Sequence, residues 1–202
     1  MFDPNAPIEE DAGLFGLPFT NDNAQLVIIP VPWDATASYA KGCVDGPNAI
    51  VKASHQLDLE DSSFNKPSRP GIYLEEENLD IRELNQSVLD CPKHLKLEFT
   101  NAASLELNEY VYQRAATLYN QGKIVAVLGG EHSVPFSAIK AFADYDEKPF
   151  GVLQIDAHMD FRNAYEGYQY SHASIFYNVL EEIPAVTKIV QVGIRDYCEE
   201  EV

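Results

Sequence analysis

The stretch GVLQIDAHMD, residues 151–160, decides how the rest of the chain is read. Phe150, Val152, Leu153 and Ile155 make a short apolar run with β-branched members, the pattern of a strand buried on both faces of a sheet. The run ends in Asp156, His158 and Asp160. Side chains alternate with period two along an extended chain, so these three project to one side if the extended geometry continues. In an open parallel sheet, ligands bind at the carboxyl ends of the strands, where this triplet sits. Carboxylate oxygens combined with a neutral imidazole suit Mn, Fe, Co or Zn. The stretch reads as half of a metal site.

Working outward, three more segments read as strands: QLVIIPV at 25–31, KIVAVL at 123–128, which reads as buried, and VTKIVQVGI at 186–194. Pro30 and Pro32 are awkward inside a ladder, so the first strand is expected to give way near Ile29 to a loop carrying Trp33, Asp34 and Thr36. Helices are expected over 47–57, opened by Pro47, over 105–121, over 134–145 and over 174–182. Leu107, Val111, Ala115, Leu118 and Tyr119 form the stripe of the second of these, closed by Gly122. Residues 1–23 read as an irregular arm, and 58–100 as a meandering connection with a short strand-like piece at 71–74. The βαβαβ order implies right-handed crossovers and a mostly parallel sheet with helices on both faces, a three-layer α/β/α domain occupying 1–202.

The 202 residues are 46% hydrophobic, which suits one globular domain. Lys and Arg number 14 against 32 Asp and Glu, a net charge of −18 that repels phosphate backbones and anionic lipid, so nucleic acid and membrane are not expected partners. Cys43, Cys91 and Cys198 are widely spaced and odd in number, which argues against a disulfide framework and for a reducing cytoplasm. The N-terminal segment has no uninterrupted apolar stretch of the kind a signal peptide needs.

Three features fall at the same ends of neighbouring strands: GGEHS at 129–133, DAHMD at 156–160 and SHAS at 171–174. Gly129 and Gly130 let the backbone turn sharply off its strand, which aims His132 toward Asp156. Asp156 can bridge two cations, with His132 and Asp160 on one ion and His158 on the other. Paired ions about 3.5 to 4 Å apart lower the pKa of a shared water, which serves hydrolysis at a carbon or phosphorus centre. His172 is a candidate for proton transfer to the leaving group, with a helix-start role as the competing reading.

GGEHS, DAHMD and YSHAS together resemble the signatures of the ureohydrolases, the family of arginase, agmatinase and formimidoylglutamase. The resemblance runs from the first strand through VPWD at 31–34 and GCVDGPNAI at 42–50 to VGIRD at 192–196. It implies an arginase-like fold, two Mn(2+) per complete subunit, and metal ligation by His132, Asp156, His158 and Asp160. It also implies His172 as the proton-shuttling or substrate-orienting histidine, substrate contacts from Arg162 and Ser171, and homotrimers or hexamers. The substrate is then a small guanidino or amidine compound. The wording of DFRNAYEGYQYSHAS, 160–174, is closest to agmatinase-like members, which release urea and an amine from agmatine. Arg162 keeps a carboxylate-bearing substrate open, as for a formimidoylglutamase, and arginase activity or a non-catalytic relative stand as alternatives. The family also has a later strand ending in Asp-x-Asp and a further acidic residue for the guanidinium. Neither occurs in these 202 residues, so the expectation is the N-terminal portion of a longer protein.

Overall fold

The parallel pairing expected from the βαβ order is what the strands adopt. In this computed structural model, which describes residue 9, residues 12–59, residue 63 and residues 71–202, β1 (Leu26–Val31) lies between β2 (Ile72–Leu74) and β3 (Ile124–Gly129). β4 (Phe150–Ile155) pairs with β5 (Val186–Val192), and every pairing is parallel. The helices are α1 (Gly46–Ser54), α2 (Leu79–Asp90), α3 (Lys96–Asn120), α4 (Phe136–Asp146) and α5 (Ile175–Glu182). This is the α/β class.

The described strands form two sheets, not the single one expected, because no ladder joins β3 to β4. α4 couples them instead. Its Ala138 and Ala141 belong to the core that α2 and α3 build on Val27, Ile29 and Val31, and its Phe136 and Ala143 to the core of α5 and Val186. Burial on both faces also fails for β4. Val152 packs toward α5, but Leu153, Ile155, Val190 and Val192 on the opposite face of the β4–β5 pair are exposed.

β1 continues to Val31, past the point where proline was expected to end it. Ile28 presents its carbonyl to β2, accepting from Glu75 N at 3.0 Å, and Pro30, two residues on, faces the same side. The last β2 residue paired with β1 is Leu74, opposite Ile28, so the missing Pro30 N–H leaves no rung unmade.

The 58–100 connection is a correction. Among its described residues it holds all of α2 and the first turn of α3, a helix of 25 residues where 105–121 was expected. Asn78 caps α2 by accepting from Asp80 N. The inward stripe of α2 is Ile81, Asn85 and Val88, and a polar residue at its centre hid the helical period. The 1–23 arm falls partly outside the described residues; within them, Leu14–Gly16 makes a single 3-10 turn. No described helix is long and apolar enough to cross a membrane.

Candidate metal centre

The carboxyl ends of β1, β3 and β4 meet in one cleft. The turn after β3 is tight, since a Cβ on Gly130 would stand 2.2 Å from Trp33 O and its φ is +38°. Glycine alone fits there. The turn carries His132 across the gap between the sheets, with Nδ1 2.6 Å from Asp160 Oδ2 and 3.1 Å from Asp156 Oδ2. Ligand atoms of His132, Asp156 and Asp160 all lie within 4.8 Å of one another. The extended geometry persists past β4 only as far as His158, which bridges to Asp196; Asp160 then turns at φ +57° into a buried position.

His158 stands outside this trio. It is largely exposed, with Nδ1 3.6 Å from Asp156 Oδ1 and Nε2 3.7 Å from Asp196 Oδ2. Asp156 therefore turns one oxygen to each histidine. Burial raises the pKa of the Asp156 carboxyl, but the His158 N–H bond to it and the nearby His132 outweigh this and hold it below its usual value. Burial lowers the pKa of His132, and the Asp160 hydrogen bond with the charges of Asp160, Asp156 and Glu131 more than reverses it. Two carboxylates converging on one imidazole suit a divalent first-row metal by donor type.

His172 lies in the same cleft, a cavity of about 580 Å³ lined also by Ser38, Arg162, Tyr165, Asp196 and Glu201. Its backbone N–H donates to Thr36 Oγ1 at 3.1 Å, its Nε2 is 3.3 Å from Ser38 Oγ, and its ring meets Tyr165 edge-on. The buried Nδ1 is 3.4 Å from Glu131 Oε2, a charge contact short of hydrogen-bond alignment. Burial lowers the His172 pKa, and the adjoining Glu131 raises it above its ordinary value overall.

Arg162 lies over the Tyr165 ring, 5.0 Å from its centroid, with Nε 3.7 Å from Glu201 Oε2. Ser171 is fully buried, its hydroxyl paired with Ser174 Oγ at 2.9 Å, and it stands apart from the cleft. The loop after β1 is fixed by Asp34, which accepts from Gly42 N and Asn85 Nδ2, and by Lys41, whose ammonium donates to the carbonyls of Asp34, Ala35 and Ala37.

The profile of the Arginase family matches residues 24–202. The chain belongs to that family. Among curated relatives of this Arginase-family chain, an N(1)-aminopropylagmatine ureohydrolase from Synechocystis is 34% identical over 182 residues, covering 89% of this chain and 53% of the relative. An agmatinase from Neisseria meningitidis is 30% identical over 196 residues, covering 95% and 58%. The solved agmatine ureohydrolase of Thermoplasma volcanium superposes with a TM-score of 0.70 at 24% identity, over 96% of this chain and 58% of that one. The chain thus spans about half the length of the curated relatives it matches. Of the cleft residues, sequence reasoning passed over Glu131, Ser38, Asp196 and Glu201. Glu131 sat inside the GGEHS motif, and Asp196 inside VGIRD, with ligand-capable side chains in plain view. Glu201 lay in the acidic run 199–201, which has no strand leading into an Asp-x-Asp pair.

Proposed function

We propose that the complete protein is a binuclear manganese hydrolase of an alkylguanidine bearing a second amine, releasing urea and an amine, with agmatine or an aminopropyl derivative as substrate. The observation that carries the reading is the convergence of His132, Asp156 and Asp160 beside His172 in one cleft. His132 and Asp160 would hold one ion and His158 the other, with Asp156 between them; two such cations lower the pKa of a shared water. His172 orients the guanidinium through Nε2 and passes a proton to the departing nitrogen. The acidic lining, Asp160, Asp196 and Glu201, favours a cationic substrate. Arg162 is engaged with Glu201 and Tyr165, which weakens the reading in which it receives a substrate carboxylate. The relatives named for agmatine and aminopropylagmatine support the same substrate class.

Urea release by the manganese-loaded complete protein from agmatine, aminopropylagmatine, arginine and guanidinobutyrate tests this. Turnover of the first two above the others is expected; turnover of none refutes the hydrolase reading. Sedimentation of the same sample tests the trimer or hexamer that the family resemblance implies.

A further inference from the structure

Glu131 is a carboxylate next to His132 that takes no place in the ligand cluster. Its side chain is 3% exposed, and its oxygens already have donors. Oε1 accepts from Thr36 N and Ser133 Oγ, each at 3.2 Å, and Oε2 accepts from Thr36 Oγ1 at 2.5 Å. Three donors from two directions leave the carboxylate one orientation. In that orientation Oε2 faces the buried Nδ1 of His172 at 3.4 Å, and Nδ1 has no hydrogen-bond partner among the described residues.

A neutral imidazole carries its proton on one nitrogen, and the partner of the other nitrogen decides which. A bare Nδ1 would set its lone pair against the lone pairs of a buried carboxylate. A protonated Nδ1 would direct its N–H toward Glu131 Oε2 at 3.4 Å. We propose that Glu131 is a positioning residue that holds His172 as its Nδ1–H tautomer and so presents an unprotonated Nε2 to the cleft. This rests on the hydrolase reading of the site only for its consequence, not for the placement itself.

Thr36 makes the arrangement a unit. Its hydroxyl donates to Glu131 and accepts from the backbone N–H of His172, so one side chain in the loop after β1 sets both the carboxylate and the origin of the imidazole. Nε2 then stands 3.3 Å from Ser38 Oγ on the cleft wall, free to accept from that hydroxyl or from a substrate N–H. During hydrolysis, water adds to the guanidinium carbon and its surplus proton passes to Nε2. Nε2 returns the proton to the departing nitrogen, the C–N bond breaks with its electron pair going to that nitrogen, and the hydroxyl oxygen closes the C=O of urea, its proton passing to the amine, which leaves as an ammonium. The imidazolium between those two transfers lies against the Glu131 carboxylate.

Two-bond proton–nitrogen NMR correlation spectra of histidine-labelled protein, assigned with His172→Asn, read the tautomer directly. The wild-type neutral ring is expected to be protonated at Nδ1 and bare at Nε2. Glu131→Gln should populate the Nε2–H form and lower kcat for agmatine by about 10- to 100-fold with KM and manganese content nearly unchanged. Glu131→Asp should recover part of both. An Nε2–H ring in the wild type overturns the proposal without any variant having to fold, as does Glu131→Gln with the Nδ1–H ring and full kcat. If the Nδ1–H tautomer is present but no guanidino compound is hydrolysed, the placement stands and the hydrolase reading falls.

Discussion

Gly130→Ala tests whether the turn that delivers His132 is as constrained as its geometry requires. The added methyl would lie 2.2 Å from Trp33 O, 2.9 Å from Val31 O and 3.0 Å from Trp33 N, all backbone atoms that cannot swing aside. The residue would also hold φ at +38°, which costs an L-residue about 1 to 2 kcal/mol. Relieving the contact means parting the end of β1 from the GGEHS turn, a strain of about 1 to 3 kcal/mol for one overpacked methyl group. It also stretches the bond from Glu131 N to Trp33 O, now 2.9 Å, worth about 1 kcal/mol. Gly122→Ala isolates the first of these, since Gly122 has φ +74° and nothing within 4 Å of its added Cβ. Gly130→Ala should therefore lose about 2 to 4 kcal/mol more than Gly122→Ala in urea unfolding. The protein supplies its own reporter: Trp33 is the single tryptophan and is fully buried beside the strained turn. Its emission should shift to the red in Gly130→Ala and stay unchanged in Gly122→Ala. Equal stabilities for the two variants, with one emission maximum, would refute the steric account.

Other consequences can be checked alongside. His132→Ala and His158→Ala should each lower manganese stoichiometry by calorimetric titration, and wild-type stoichiometry in either variant contradicts its assignment as a ligand; His172→Ala should keep the metal and lose turnover. Asn85→Leu removes a buried partner of the Asp34 carboxylate and should cost about 1 to 3 kcal/mol in urea unfolding, with a loss under about 0.5 kcal/mol showing that the pair is dispensable. In chelator, His132 and His172 have folded pKa values raised above the unfolded value of about 6.5, so their stabilisation is complete below that pH and is lost as pH rises through the folded values. Manganese affinity should rise over the same window, because His132 must lose its proton to bind, and a pH-independent affinity would exclude it as a ligand.

Which parts of this molecule could be read from residues alone follows from the range of the interactions involved. β3, β4 and β5 announce themselves through apolar runs with β-branched members, a pattern carried by adjacent residues even where one face of the β4–β5 pair stays exposed. The trio His132, Asp156 and Asp160 was readable for a related reason: each follows a strand directly, and parallel strands bring their carboxyl ends together. α2 was lost because Asn85 occupies its inward stripe, and that residue is buried by Asp34, 51 positions away. Glu131 and Thr36 are 95 positions apart, and no periodicity in either neighbourhood marks them as partners. Glu201 is the sharpest case. An acidic run is ordinarily solvated, yet this carboxylate is 4% exposed because it accepts from the backbone N–H groups of Phe161 and Cys198. Every chain position except proline offers such a donor, so nothing in residue type reveals which carboxylate will take one. Buried charge is thus set by the approach of distant loops, and in this cleft those loops fix the groups around the candidate ligands that follow the strand ends.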